Sequence, residues 1–346
     1  MPATKPFNKH DFFMSWKVLI TARTITEVGA RALEILRNAG CEVIIPEKLG
    51  PLPADEILKL LPGVDAALVS PDAYNAAVLG SPAAAQLKVI SRWGVGYDSI
   101  DIPAATRLGI VVAYTPGMLD ETVADYTWAL LLGIARRIHL GHMGMAAGKW
   151  APAWGHDVFG KTLGVVGCGR IGQAVVRRAA GFGMRVLSYD VMPNPSAEKL
   201  GVKFVSLDEL LEQSDFVSLH AASTPGNRGM LGEAQFRKMK KASYLINAGR
   251  GALIDEAALV KALKEGWIAG AALDTFIQEP MAAEHPFRTT PNLLIAPHQA
   301  SFARETGERV SNAAAQAIVD LMQGRRPQLL VNPDVLSSPA ARVKVA

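Results

Sequence analysis

Three residues able to fix or move charge follow one another in the last third of the chain. Arg250 stands between two glycines, Glu279 precedes a proline, and His298 follows one. An arginine without bulky neighbours can grip a carboxylate through two parallel hydrogen bonds and polarise an adjoining carbonyl. Histidine suits proton exchange near neutral pH, and a carboxylate beside it orients the ring and favours its protonated form. Upstream lie a glycine-rich turn, Gly167-Cys168-Gly169-Arg170-Ile171-Gly172, and then Asp190. Together these pieces supply a dinucleotide cradle, a fixed cation, a carboxylate and a histidine. Hydride transfer to and from a 2-hydroxy acid needs that set.

The glycine turn has the context that gives such a pattern meaning, with an apolar strand before it and a helix after it. Gly167 permits the tight turn, Gly169 lets backbone approach a pyrophosphate, and Gly172 lets the helix pack on the strand. The helix start at Arg170 and Ile171 offers N–H groups to an anion. Asp190 ends the next strand, where a carboxylate accepts both ribose hydroxyls and repels a 2′-phosphate. No arginine follows among Val191, Met192 and Pro193, so NAD is expected over NADP. Asp274 ends another apolar strand and is expected to bond the nicotinamide carboxamide.

These residues need elements to position them. Val18–Ile20, Glu42–Ile45, Ala66–Val69, Leu87–Ile90 and Ile110–Ala113 read as strands, with an amphipathic helix over Glu27–Ala39 stopped by Gly40. A long apolar helix is expected over Thr122–Ile138, then a connection rich in Gly, Pro and Trp, in which Trp150 and Trp154 are expected to pack under a loop. A second series follows: strands Thr162–Val166, Arg185–Tyr189, Phe216–Leu219, Tyr244–Asn247, Gly270–Asp274 and Leu293–Ala296, with helices Gln173–Phe182 and Arg304–Met322. Strands alternating with helices imply parallel sheets covered on both faces, hence two doubly wound α/β domains.

The 346 residues suffice for two domains. A charge of +4 from 36 basic and 32 acidic residues gives no case for nucleic acid. Cys41 and Cys168 are far apart and without a CxxC partner, so neither a disulfide framework nor a zinc site is suggested, and a reducing cytoplasm is the expected compartment. No stretch reaches the length of a membrane span. The first fifteen residues lack an apolar signal core and read as a short extension.

The chain resembles the D-isomer-specific 2-hydroxyacid dehydrogenases from about Leu87 to Asn332. Ser91-Arg92-Trp93-Gly94-Val95-Gly96-Tyr97-Asp98 resembles the family's substrate-carboxylate loop, Thr122-Val123-Ala124-Asp125 the start of its inter-domain helix, and Leu219-His220 with Thr224-Pro225 its loop over the adenosine. Asn247 to Gly251 and Pro297-His298 are the most specific signatures. The resemblance implies Arg250, Glu279 and His298 as the catalytic set. It implies carboxylate binding by the N–H groups of Val95 and Gly96, with Arg92 nearby, and adds Thr224 and Ala248 as cofactor contacts. It further implies a Rossmann NAD domain, 117–297, inserted into a flavodoxin-like substrate domain, 1–116 and 298–346. The site would be the cleft between them, and the assembly a homodimer through the helix at Thr122–Ile138.

Two features depart from the family. Ala222-Ser223 stands where Pro-Leu is frequent, and Gln299-Ala300-Ser301 replaces Ile-Gly-Gly after the histidine. The implied activity is NAD-dependent oxidation or reduction at C2 of a small 2-hydroxy or 2-keto acid. The overall look is nearest phosphoglycerate dehydrogenases, through Ser91-Arg92. Asp72, after the strand Ala66–Val69, would oppose a substrate phosphate. Glyoxylate or hydroxypyruvate reduction is the alternative within the class, and an NAD(H)-sensing, corepressor-like binding protein the alternative outside it.

Overall fold

In the computed structural model, residues 15–345 are described, so the N-terminal extension lies outside the described residues apart from Ser15. Among the described residues, one unit runs to Met118 and resumes at Ala303, and the other is Leu119–Phe302.

The first unit is built on five apolar runs: β1 (Lys17–Ile20), β2 (Glu42–Ile44), β3 (Ala66–Val69), β4 (Val89–Arg92) and β5 (Val111–Ala113). They pair in parallel in the order β2-β1-β3-β4-β5. This is the flavodoxin-like order, with the direction of winding reversing between β1 and β3. Val18, Ile20, Leu68 and Val89 pack on one face with Leu36, Val310, Ala314 and Ile318. Leu19, Val69, Ile90 and Val112 pack on the other with Ile57, Leu61, Tyr74 and Leu79. Alternate residues of each strand therefore enter opposite cores, which is why these strands read as unbroken apolar runs. The helix expected over Glu27–Ala39 is two helices, Arg23–Val28 and Ala30–Asn38. The break falls at Gly29, where a Cβ would stand 2.7 Å from the Ile25 carbonyl oxygen.

The second unit holds seven parallel strands: β6 (Thr162–Val166), β7 (Arg185–Tyr189), β8 (Lys203–Phe204), β9 (Phe216–Leu219), β10 (Tyr244–Asn247), β11 (Gly270–Leu273) and β12 (Leu293–Ile295). The order is β12-β11-β10-β9-β6-β7-β8, so winding reverses between β6 and β9, as in a Rossmann sheet. The helix Asp120–Ala135 buries Val123, Ala124, Thr127, Trp128, Leu130, Leu131, Ile134 and Ala135. It lies against β10, β11, β12 and the helix Arg170–Ala179, so its apolar surface is consumed by its own unit. Arg137 adopts a left-handed conformation, φ 55, and starts another helix, Ile138–Ala146, with no buried residue. Trp150 and Trp154 are 86% and 96% exposed. The packing expected for them under a loop is corrected: the connection that carries them has no regular structure and nothing of the described chain covers either ring. No helix among the described residues is long and apolar enough to cross a membrane.

Candidate active site

The C-terminal ends of β6, β7, β10, β11 and β12 carry the glycine turn, Asp190, Arg250, Asp274, Glu279 and His298 on one edge of the second unit's sheet, where open α/β sheets hold their ligands. Gly167 follows β6 with φ 90, and a Cβ there would stand 2.5 Å from the Ala221 nitrogen, so the turn and the end of β9 meet backbone to backbone. A Cβ on Gly172 would stand 2.3 Å from the Gly167 carbonyl oxygen, which fixes how tightly the helix Arg170–Ala179 sits on the turn. Gly169, at the N-cap of that ten-residue helix, would meet nothing within 4 Å. Open space over a helix N-terminus with first-turn N–H groups at Arg170 and Ile171 fits a pyrophosphate. The helix begins at Arg170 rather than at the expected Gln173, because the turn itself supplies its first residues.

Asp190 follows β7. Its Oδ2 accepts from Cys168 N–H at 2.7 Å and its Oδ1 from Met192 N–H at 3.1 Å. The carboxylate thus braces the glycine turn, with exposed Val191 and Met192 beside it and no cation in that stretch. His220, after β9, backs the turn. Its Nε2 pairs with Ser218 Oγ at 2.8 Å and its Nδ1 is enclosed without a partner. Burial pushes the imidazole down to about 4, so it is neutral at physiological pH. Thr224 lies on the exposed loop beyond, where its N–H donates to Asn227 Oδ1 at 2.7 Å.

The arginine loop is held by a residue that its apolar strand obscured. Asn247 is fully buried at the end of β10; its Oδ1 accepts from Gly249 N–H at 3.0 Å and its Nδ2 donates to the Arg250 carbonyl at 2.9 Å. A Cβ on Gly249 would stand 3.0 Å from the Leu219 carbonyl oxygen, and one on Gly251 would stand 2.0 Å from the Phe276 carbonyl carbon. Both glycines are therefore demanded by backbone approach, and Ala248 and Arg250 are carried on a loop with little freedom. The Arg250 guanidinium donates to the Gly249 carbonyl at 2.9 Å.

His298 follows β12 with φ 51, a left-handed conformation that few non-glycine residues adopt. Its Nδ1 lies 2.6 Å from Glu279 Oε2, and Glu279 Oε1 accepts from Phe276 N–H at 2.9 Å. The pair is partly open, with side-chain exposures of 44% for the histidine and 28% for the glutamate. Nδ1 is taken up by the carboxylate, and Nε2 lies outside that contact. Asp274, expected at the nicotinamide carboxamide, is fully buried. Its oxygens accept from Gln299 N–H at 2.9 Å and Ala300 N–H at 2.8 Å, so it is placed to hold the chain beyond His298. Burial raises its pKa, against the opposing effect of these two hydrogen bonds. This tie also accounts for the second unit running to Phe302.

Arg92, Val95 and Gly96 belong to the first unit, after β4. The Arg92 guanidinium donates to the Gly96 carbonyl at 2.7 Å and also to the Trp93 carbonyl. It braces the loop that carries Val95 and Gly96. Gly94 takes φ 117 there, and its N–H donates to Thr115 Oγ1 at 3.0 Å. Asp72, expected to oppose a substrate phosphate, is buried. It accepts from Thr21 Oγ1 at 2.5 Å, Leu52 N–H at 2.7 Å and Ser70 N–H at 3.1 Å. Burial raises its pKa, and these bonds and the Arg92 charge oppose the shift.

Residues 128–300 match the family model described as D-isomer specific 2-hydroxyacid dehydrogenase, NAD binding domain. A glyoxylate reductase of Thermofilum pendens is 42% identical over 95% of this chain and 98% of its own. Among solved structures, the TT0316 protein from Thermus thermophilus superposes with a TM-score of 0.83 at 41% identity, covering 91% of this chain and 99% of its own. A glyoxylate reductase from Paecilomyes thermophila does so with a TM-score of 0.81 at 30% identity, covering 92% and 98%. An NAD cradle at the switch point of one parallel sheet, an arginine, a glutamate–histidine pair at neighbouring strand ends, and these likenesses converge: the chain belongs to the D-isomer specific 2-hydroxyacid dehydrogenases, oxidoreductases with an NAD-binding domain.

Proposed function

We propose that the chain reduces a small unphosphorylated 2-keto acid, glyoxylate or hydroxypyruvate, with NADH in preference to NADPH. The 2.6 Å contact between His298 Nδ1 and Glu279 Oε2 carries the proposal, because reduction of a keto acid consumes a proton and the carboxylate orients an imidazole able to deliver one. Bound NADH supplies the hydride that C2 of the acid receives. His298 Nε2 delivers the proton to the carbonyl oxygen, and Glu279 holds the ring through Nδ1. Arg250 binds the carboxylate and the carbonyl oxygen, stabilising the charge that gathers on that oxygen. In the first unit the proposal gives the acid's carboxylate to the N–H groups of Val95 and Gly96. On the cofactor, the N–H groups of Arg170 and Ile171 take the pyrophosphate and Asp190 the ribose, with Thr224 and Ala248 along the dinucleotide.

Glyoxylate and hydroxypyruvate are favoured for two reasons. Two of the three similar proteins described above are named glyoxylate reductase. Arg92, the cation that would hold a phosphate, already donates to the carbonyls of its own loop. NADH oxidation should be followed with glyoxylate, hydroxypyruvate, pyruvate, 2-oxoglutarate and 3-phosphohydroxypyruvate, with NADPH in parallel. The expected kcat/KM is at least about tenfold higher for glyoxylate or hydroxypyruvate than for the phosphorylated acid, and higher with NADH than with NADPH. A preference for the phosphorylated acid would overturn the substrate assignment, and equal turnover with NADPH would overturn the role given to Asp190.

A homodimer is part of the same proposal. Ile138, Met143 and Met145 on the helix Ile138–Ala146, with Trp150, Trp154 and Phe159 after it, form an exposed apolar stretch that water covers poorly. Light scattering should give twice the mass of one chain, and a monomer at micromolar concentration would remove the dimer from the proposal.

A further inference from the structure

His298 holds a left-handed backbone conformation that is costly for a non-glycine residue, so it persists only where its surroundings over-determine it. Glu279 fixes the ring but not the main chain. Asp274 fixes the two N–H groups that follow, those of Gln299 and Ala300. A third restraint comes from far away in sequence: Gln299 Nε2 donates to the Tyr126 hydroxyl at 2.8 Å. Tyr126 stands on the helix Asp120–Ala135, whose buried face is pressed against β10, β11 and β12, so its hydroxyl is a fixed point in this unit. Burial pushes the Tyr126 phenol up, and the nearby Asp274 carboxylate adds to that while the bond from Gln299 opposes it. The hydroxyl thus stays protonated at working pH. Gln299 is therefore held at both ends, its N–H by Asp274 and its side-chain amide by Tyr126. The peptide joining it to His298 cannot turn without breaking one of the two bonds.

We propose that Tyr126 and Gln299 form a clamp that positions His298 for proton transfer. The clamp rests on the keto-acid reductase reading of the site. Neither residue touches the reacting atoms, and both act through the His298 main chain. An isoleucine after the histidine, which is frequent in the family, has no donor for such a bond. The clamp is thus a solution of this chain to holding the same imidazole.

Tyr126→Phe and Gln299→Met each remove the hydrogen bond and nearly preserve side-chain volume. Steady-state kinetics on the full chain with glyoxylate and NADH should show kcat lowered about tenfold in each, with KM for either substrate within about twofold of the parent. The double variant should be no slower than either single one, because both remove one bond. Singles with undiminished kcat, or effects that multiply in the double variant, would overturn the clamp. If the parent reduces no keto acid, the reductase reading falls and the clamp is judged on His298 itself. Its imidazole signal in ¹³C-histidine NMR, assigned through His298→Gln, should shift or broaden in Tyr126→Phe. An unchanged signal would overturn the clamp whatever the activity.

Discussion

Replacing His298 by alanine is expected to lower kcat for glyoxylate reduction by about 10³-fold or more while NADH still binds with near-parental affinity. The size follows from what is lost. Without the imidazole, hydride arrival at C2 leaves charge on the oxygen that only water and Arg250 can meet. The rate then loses a proton donor held in place by the Glu279 carboxylate. The selectivity follows from placement. The cradle of Gly167, Gly169 and Gly172 lies at β6, with Asp190 at β7, whereas His298 follows β12 at the far edge of the sheet. Its side chain contributes nothing to the turn, whose shape is set by the contacts of Gly167 with Ala221 and of Gly172 with Gly167. NADH fluorescence titration and stopped-flow turnover of the same sample separate the two effects. Turnover within tenfold of the parent would show that another group donates the proton. Loss of NADH binding together with turnover would make His298 structural. A parent that binds NADH but reduces no keto acid would turn attention to the NAD(H)-sensing reading.

The fold was legible where apolar runs are short and bounded, because a strand buried on both faces has no polar face to confuse the pattern. Thr162–Val166, Arg185–Tyr189 and Tyr244–Asn247 are strands over the residues expected. The placement of Arg250 and His298 just beyond strand ends was legible for a related reason. A polar residue directly after such a run stands at the sheet's C-terminal edge, where ligands bind. Which way a strand-end carboxylate turns was not legible. Asp190, Asp274 and Asp72 look alike in sequence, but Asp274 is buried by the N–H groups of Gln299 and Ala300, and Asp72 by those of Leu52 and Ser70 with the hydroxyl of Thr21. Apart from the neighbouring Ser70, those donors come from other parts of the chain, so only the folded chain reveals them. The bond between Tyr126 and Gln299 is hidden in the same way. The helix Ile138–Ala146 escaped for the opposite reason: with no residue buried within the chain, its sequence carries no amphipathic period.

Arg250 tests whether the site needs a charge or a shaped donor. Arg250→Lys keeps the charge and discards the planar fork, and it is expected to cost about 10²-fold in kcat/KM for glyoxylate. Arg250→Gln discards the charge as well and is expected to cost about 10³-fold, in line with the loss of a donor aimed at developing negative charge. Side-chain replacement is expected to leave the loop in place, because Asn247 and the two glycines set its path, with the guanidinium adding a bond to the Gly249 carbonyl. The comparison is therefore one of chemistry rather than of folding, and equal thermal unfolding of the three proteins would confirm that. Glyoxylate titrations at saturating NADH supply the numbers. An Arg250→Lys protein within tenfold of the parent would mean that a point charge suffices and that no bidentate grip operates. Arg250→Gln within tenfold would remove Arg250 from the catalytic set, leaving the backbone N–H groups of Val95 and Gly96 as the carboxylate's remaining proposed donors. A graded loss, with lysine between arginine and glutamine, is what a fork that both holds the acid and polarises its carbonyl requires.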